Sequence, residues 1–229
     1  MPPKNSVGTL SEHRLHNALK YYVQPDKEFH EIKVDGYICD AVCEDGIKEI
    51  QTTAFQNIRK KLDRLLPNHA ITVVYPVITE KRILVTYEES GECNIRKSPK
   101  KATVYNAFNE LYKIREHLLS ENLHFRMICV TCDEHRLYKG TKDGRKAFAK
   151  PIKTERIPTA LVDDLQFYSL KELVSLFPKD LPENFDAKIF SHHAKITRDL
   201  ASMVLRVSER IGIIEYICTI DRKKFYRFK

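Results

Sequence analysis

Two carboxylates and an amide stand at spacings that a short β-hairpin would bring together. Asp40 and the run Glu49-Ile50-Gln51 flank Asp45-Gly46, a dipeptide typical of a two-residue hairpin turn. If Asp45-Gly46 forms the turn, Asp40 lies opposite Gln51 in the ladder. Because strand side chains alternate between faces, we expect Asp40, Glu49 and Gln51 to point to the same side of the sheet.

Neighbouring carboxylates repel each other unless a proton or a cation lies between them. Their oxygens suit Mg²⁺ or Mn²⁺, with the Ile50 carbonyl as a further candidate ligand. Such an ion lowers the pKa of bound water and stabilises charge on a phosphate, so this patch predicts phosphodiester hydrolysis. The competing interpretation is that Asp40 and Glu49 are solvated acids on an edge hairpin.

The surrounding elements are predicted in the order α-β-β-β-α-β. Thr9 and Glu12 form a capping-box pattern at the start of a helix, and three strands follow at 29–34, 37–43 and 47–51. Apolar residues recur at helical spacing over 54–66, and buried strands are predicted at 71–75 and 82–87.

This order, with its acids, resembles the PD-(D/E)xK nucleases of the restriction-endonuclease-like superfamily. Asp40 matches the first metal-binding acid and Glu49 the second, whereas Gln51 stands where the family usually has lysine. The resemblance also implies that Glu12 helps to hold a metal-bound water. Glu31 falls opposite Asp40 if Asp35-Gly36 is a turn, which makes it a reserve ligand.

The second half of the chain is predicted to begin with a helix over 103–119 and a strand over 125–131. A segment rich in lysine and arginine, 136–156, is expected to be an exposed loop or hairpin. Helices over 169–177, 190–195 and 197–211 and strands over 213–218 and 225–228 then resemble a winged helix.

The predicted fold class is α/β, with mixed α+β character. We expect a restriction-endonuclease-like αβββαβ domain over 1–140, a basic connecting segment over 141–164, and a winged-helix domain over 165–229.

Two basic groups are candidates for contacts with DNA phosphates. The first lies on the second helix, where a solvated helix face is the commoner explanation: Arg59, Lys60 and Arg64. The second lies on the last helix and the wing, for which protein contacts are the alternative role: Arg198, Arg206, Arg222, Lys223 and Lys224.

Composition limits the remaining classes. The chain has 229 residues and a net charge of +8, which favours polyanionic partners. The start of the chain has no apolar signal core and no stretch is long enough to span a membrane, so we expect a cytoplasmic protein, associated with the nucleoid if it is prokaryotic. Cys129 and Cys132 lack the ligand set of a zinc site, and reduced thiols are expected.

Together these features predict a Mg²⁺-dependent endodeoxyribonuclease that acts as a homodimer and uses its winged helix to bind DNA or a protein partner. The alternative is a catalytically inactive DNA-binding regulator or scaffold on the same fold, which Gln51 favours. A third class, an RNA-binding or protein-binding module, would bind duplex DNA weakly.

Overall fold

One large mixed sheet organises the chain. The computed structural model describes residues 7–139 and 151–229, and within them seven strands form this sheet in the order β1-β2-β3-β4-β6-β7, with β5 paired to β4. The strands are β1 His30–Val34, β2 Tyr37–Cys43, β3 Gly46–Ile50, β4 Ile71–Tyr87, β5 Cys93–Lys97, β6 Leu123–Tyr138 and β7 Ile152–Phe167. β1, β2 and β3 run antiparallel, whereas β4 is parallel to both β3 and β6.

Helices cover the two faces of this sheet. They are α1 Val7–Val23, α2 Arg59–Leu65, α3 Ala107–Leu111, α4 Ala187–Ala194 and α5 Arg198–Arg210. α1 packs on one face, where Leu15 and Leu19 join Ile50, Val74 and Ile128 in a small apolar cluster. The other face carries the larger core, which contains buried residues of α2, α3 and both C-terminal helices. The order α1-β1-β2-β3-α2-β4 is thus the order predicted from the sequence.

β4 is one strand of 17 residues, whereas two separate strands were predicted on either side of Pro76. Proline interrupts a sheet by removing a donor, so the sequence favoured a break there. β3 ends at Ile50 beside Val74, however, and β5 begins its pairing only at Arg82. Pro76 therefore lies where β4 has a neighbour on one side only, and it pairs there with Ile128 of β6.

The predicted connecting segment over 141–164 is wrong in its second part. Residues 152–164 belong to β7, which pairs antiparallel with β6 along most of its length. The second part of the basic segment is therefore a strand at the edge of the sheet, and 140–150 lie outside the described residues. The sequence did not predict this strand because lysine, arginine and proline are frequent in it. Such residues are tolerated in an exposed edge strand, which needs no continuous apolar face.

The predicted helix over 103–119 is shorter than expected. A 3-10 turn at Val104–Asn106 leads into α3, and a second 3-10 turn follows at Tyr112–Ile114. The apolar residues still face the core, where Phe108 and Ile114 are fully buried. Leu119, near the end of the predicted helix, is instead 61% exposed.

The C-terminal part follows the predicted order of helices and hairpin. A 3-10 helix at Leu170–Leu176 precedes α4 and α5, and the chain closes with β8 Ile214–Ile220 and β9 Lys223–Phe228. Asp221 and Arg222 adopt positive φ angles of 49° and 61° in the connecting turn, as a tight hairpin with right-handed twist requires. None of the described helices is long and apolar enough to cross a membrane.

Candidate active site

Asp40 occupies the point where β2 and β3 stop pairing through their backbones. The last backbone pair of the two strands is Ala41 opposite Lys48. Beyond it, Asp40 Oδ2 accepts a hydrogen bond of 2.8 Å from the Ile50 N–H. The same oxygen lies 3.3 Å from Nε2 of His16 on α1. The carboxylate thus replaces a ladder bond and links both strands to a helix.

An irregularity in β2 explains this placement. Cys39 packs in the core that contains α2, whereas the Cys43 thiol lies 3.7 Å from the Val23 carbonyl of α1, on the other face. Strict alternation would place these two residues on the same face. The strand therefore changes phase between them, and Glu31 on the neighbouring strand has a left-handed φ of 54°. Asp40 lies at this change of phase.

Glu49 lies against α2, with its side chain only 1% exposed. Its Oε2 is 2.7 Å from Lys61 Nζ, and the same ammonium donates to the Ile38 carbonyl at 2.8 Å. Its Oε1 is buried and has no hydrogen-bond partner in the described residues. The Cys39 thiol and the Asp40 N–H nevertheless lie near enough to act on the Glu49 carboxylate as weak hydrogen-bond donors.

The two carboxylates have pKa values that shift in opposite directions. Burial raises the pKa of Glu49, the charge of Asp40 raises it further, and Lys61 offsets only part of the rise. Burial also acts to raise the pKa of Asp40, but His16 and the Ile50 N–H outweigh it and the pKa is lowered. The charge of Asp40 acts on Glu49, but His16 and Lys61, the cations beside the two carboxylates, belong to helices on opposite faces of the sheet. This differs from the expectation that the two side chains point to the same side.

The predicted turn is displaced by one residue. Val42 pairs with Ile47 and Cys43 with Gly46, so Glu44 and Asp45 form the turn. Continued by one step, this register sets Asp40 opposite Glu49 rather than opposite Gln51. Gly46 is needed for another reason: its φ is 113°, and a Cβ there would lie 2.4 Å from the Ala70 carbonyl oxygen.

Three other residues were predicted for this site: Ile50, Gln51 and Glu12. The Gln51 N–H donates to the Val74 carbonyl of β4 at 2.9 Å, and its side chain is half-buried. The Ile50 N–H points toward β2, and its carbonyl points to the same side because a strand residue directs both groups one way. Glu12 lies one helical turn before His16 in α1, and its side chain is outside the described part of the chain.

Glu31, the reserve ligand, already has a cation. Lys20 Nζ lies 2.9 Å from its Oε1, and this hydrogen bond lowers the pKa of Glu31. Its side chain is exposed to solvent.

Two residues of the site were not predicted from the sequence. Lys61 is one of several cations in α2, and only the docking of that helix shows that it turns inward. His16 carries a weak sequence signal, since it follows Glu12 by four residues and so lies one turn further along the helix.

The basic residues of α2 separate into engaged and free groups. Arg59 donates from Nε to the Lys113 carbonyl and is half-buried, so it is held against the protein. Lys60 and Arg64 are exposed and remain available for phosphate contacts.

The five basic residues predicted in the C-terminal part meet at one cavity of about 300 Å³ between α5 and the β8-β9 hairpin. Asp186, Ser202 and Tyr226 complete the polar part of its wall. Within the described residues these cations make no salt bridge. They are Arg198, Arg206, Arg222, Lys223 and Lys224. The cavity is therefore strongly cationic and suited to an anion.

The cysteines and metal ligands are dispersed. All six thiols are free, and burial followed by the charge of Glu49 raises the pKa of Cys39 to about 11, so this thiol is protonated at neutral pH. No group of three or more histidine, cysteine or acidic side chains is placed to hold a metal ion in the parts of the chain that the structure describes.

Comparison with known proteins finds relatives without a stated activity. The family described as "Domain of unknown function (DUF8091)" matches residues 13–168, from α1 to the end of β7. A protein of Treponema pallidum (strain Nichols) described as "Uncharacterized protein" is 30% identical over 181 residues, which are 79% of this chain and 71% of that protein. No solved structure matches. The family match spans the large sheet and leaves α4, α5 and the last hairpin outside it.

Proposed function

The chain belongs to the DUF8091 family, and we propose that its Asp40–Glu49 site hydrolyses phosphodiester bonds in DNA with the help of a divalent cation. One observation carries the proposal: the charge of a second carboxylate, Asp40, acts on a fully buried glutamate whose Oε1 makes no hydrogen bond of ordinary geometry in the described residues. A solvated pair on an edge hairpin would have neither property. The α1-β1-β2-β3-α2-β4 order and the parallel pairing of β3 with β4 support a restriction-endonuclease-like fold.

The donor set fits a hard cation. Asp40, Glu49 and the Ile50 carbonyl offer oxygen ligands, and Mg²⁺ sites commonly use only one or two carboxylates with several waters. Asp40, Glu49 and Ile50 would hold Mg²⁺ or Mn²⁺, which when bound acidifies water and stabilises charge on a phosphate. The free Glu49 Oε1 is the atom that such an ion would satisfy.

Lys61 supplies the positive charge that Gln51 lacks. Its ammonium lies 2.7 Å from Glu49 and favours the ionised form of that carboxylate. The same ammonium would lie beside the place where negative charge develops on the phosphate. Gln51 can orient a water through its amide, and Glu12 would assist from α1. His16 holds Asp40 in position.

The basic cavity between α5 and the last hairpin would hold the DNA backbone. Its five cations are concentrated in one concave surface, and phosphate contacts supply most of the affinity that is independent of sequence. We propose that this part is a winged helix that binds DNA, and that two copies of the chain act together, because cutting both strands of a duplex needs two such sites.

A second candidate function is DNA binding without cleavage, as a regulator or scaffold. The observation in its favour is that Lys61 already occupies Oε2 of Glu49, while position 51 holds a neutral amide. In that case the ion pair would be a structural feature that stabilises α2 against the sheet.

Nicking of supercoiled plasmid in Mg²⁺ and in Mn²⁺ tests the proposal. We expect the wild-type chain to nick, and both Asp40→Ala and Glu49→Ala to abolish nicking. Glu44→Ala is the matched control, because Glu44 is an exposed acid at the tip of the same hairpin. Plasmid binding without nicking in either metal would contradict the nuclease and favour the regulator.

A further inference from the structure

A second cluster of charges lies on the extension of the sheet formed by β4, β6 and β7. Glu134 of β6 is completely buried, and four cations surround its carboxylate. Lys81 Nζ is 2.8 Å from Oε2, Arg156 is 3.2 Å and Lys153 is 3.6 Å from the same oxygen, and Arg136 Nε donates to Oε1 at 2.8 Å. We call these five residues the Glu134 cluster.

The Glu134 cluster has more positive charge than its folding requires. One carboxylate with a single bidentate arginine is already neutral, whereas here one negative charge faces four positive ones. Burial acts to raise the pKa of Glu134, but bonds from Lys81 and Arg136 prevail and lower it to about 2. The Arg156 Nε–H is buried with no partner in the described residues. The surplus of charge and of donors suits an external anion.

Two of the cations are accessible to such an anion. The side chain of Lys153 is 46% exposed and that of Arg136 is 24% exposed, while Lys81 and Arg156 are more deeply placed. A phosphate can therefore reach the outer pair and be attracted by the inner pair.

The position of the Glu134 cluster relative to Asp40 and Glu49 follows from β4. Ile50 pairs with Val74, and Glu134 pairs with Ile83, nine residues further along the same strand. At about 3.3 Å per residue this separation is roughly 30 Å. Base pairs in duplex DNA rise by about 3.4 Å, so the same distance spans about nine of them.

We propose that the Glu134 cluster binds backbone phosphates of duplex DNA about nine base pairs from the Asp40–Glu49 site. The choice of DNA as ligand rests on the proposed function. The binding itself does not require cleavage, so the two proposals can fail separately.

The test measures DNA affinity of the full chain in EDTA. The double substitution Arg136→Gln with Lys153→Gln leaves Lys81 and Arg156 on Glu134, and circular dichroism checks that it folds. We expect its binding to a labelled duplex of about 20 base pairs to weaken by about tenfold, and the slope of log affinity against log salt to fall by about 1.8 for two lost contacts.

The control removes the same charge elsewhere. Lys171 and Lys179 are exposed lysines outside the Glu134 cluster, and their double change to glutamine should alter affinity and slope little. Glu134→Gln adds net positive charge, so where this variant folds it should bind the duplex at least as tightly as the wild type.

Equal losses in the double variant and its control would overturn the inference, since only net charge would then matter. Unchanged binding of the double variant would overturn it as well. If Asp40→Ala stops nicking while the double variant binds normally, the nuclease stands and this inference fails. If nothing nicks but the double variant alone loses affinity, the inference stands without the nuclease.

Discussion

Glu49 and Lys61 face each other between β3 and α2, with 2.7 Å between Oε2 and Nζ, in a place from which water is nearly excluded. Lys61 does not keep the pKa of Glu49 at its ordinary value. Burial and the charge of Asp40 together raise this pKa by more than Lys61 lowers it. A carboxylate kept in such an unfavourable place indicates a role other than stability.

Replacement of Lys61 by methionine should impair nicking strongly. Methionine keeps much of the apolar stem and removes the charge, and loss of one group that stabilises transition-state charge costs about 10²-fold or more in rate. Lys60→Met is the matched control, because Lys60 is adjacent and exposed. Single-turnover nicking rates compare the two variants. Full activity of Lys61→Met would show that its ammonium takes no part.

Glu49→Gln should lose nicking without losing stability. Since the pKa of Glu49 is higher in the folded protein, folding stability falls as pH rises from the ordinary glutamate pKa through the folded one. At pH 7, which lies above the ordinary glutamate pKa, the raised pKa of Glu49 therefore reduces folding stability, and an amide removes that cost. Calorimetric melting of both proteins at neutral pH measures the difference. A clear decrease in melting temperature would contradict this interpretation.

Glu134→Gln, unlike Glu49→Gln, should lower the free energy of unfolding at neutral pH. Its pKa is lowered from 4.5 to about 2, so the ionised form stabilises the folded state by about 3 kcal/mol at neutral pH. That contribution is present above 4.5 and is lost as the pH falls toward about 2. Urea unfolding of wild type and variant should therefore differ most at pH 7 and converge in acid. A difference that does not depend on pH would assign the loss to packing.

Gly46→Ala should destabilise the protein by about 2–5 kcal/mol, because it combines an unfavourable φ with a backbone clash. The new Cβ would lie 2.4 Å from the Ala70 carbonyl oxygen. Gly36→Ala is a close control: its φ is 90°, but nothing lies within 4 Å of the added atom. Chemical denaturation should show a cost of only about 1–3 kcal/mol for this control. If Gly46→Ala and Gly36→Ala lowered the free energy of unfolding equally, the Ala70 backbone would have to move away from the new Cβ at little cost.

The sequence predicted the order of elements well because that order follows from local patterns. Apolar spacing marked α1 and α2, and Asp35-Gly36 marked the first turn correctly. Asp45-Gly46 predicted a turn one residue too late in the chain. Gly46 is required instead because the Ala70 backbone lies too close for a Cβ, and no local sequence pattern reveals that contact. The displacement changes every pairing sum by two, which alone would leave each residue on its predicted face. The change of phase in β2 overrides this: Asp40 contacts His16 of α1, whereas Glu49 contacts Lys61 of α2.

The partners of the two acids could not be predicted in the same way. Whether Lys60 or Lys61 turns inward depends on how α2 packs against the sheet, and both have the same chemistry. The phase change at Asp40 lies beside Glu31, whose left-handed φ of 54° is one that a glutamate rarely adopts. By contrast, the cavity between α5 and the last hairpin gathers the five cations that the winged-helix resemblance named.

β4 continues through Pro76 as one strand, and this strand sets the distance between the Asp40–Glu49 site and the Glu134 cluster. The Asp40–Glu49 site lies beside one end of β4 and the Glu134 cluster beside the other. β6 pairs with β4 over this span, with one irregularity between Ile78 and Glu80. If both proposals hold, a duplex bound at both places would be cut at a fixed distance from the Glu134 cluster. Shortening β4 and β6 together by two residues would move that bond by about two base pairs, an outcome that a hinged arm could not produce.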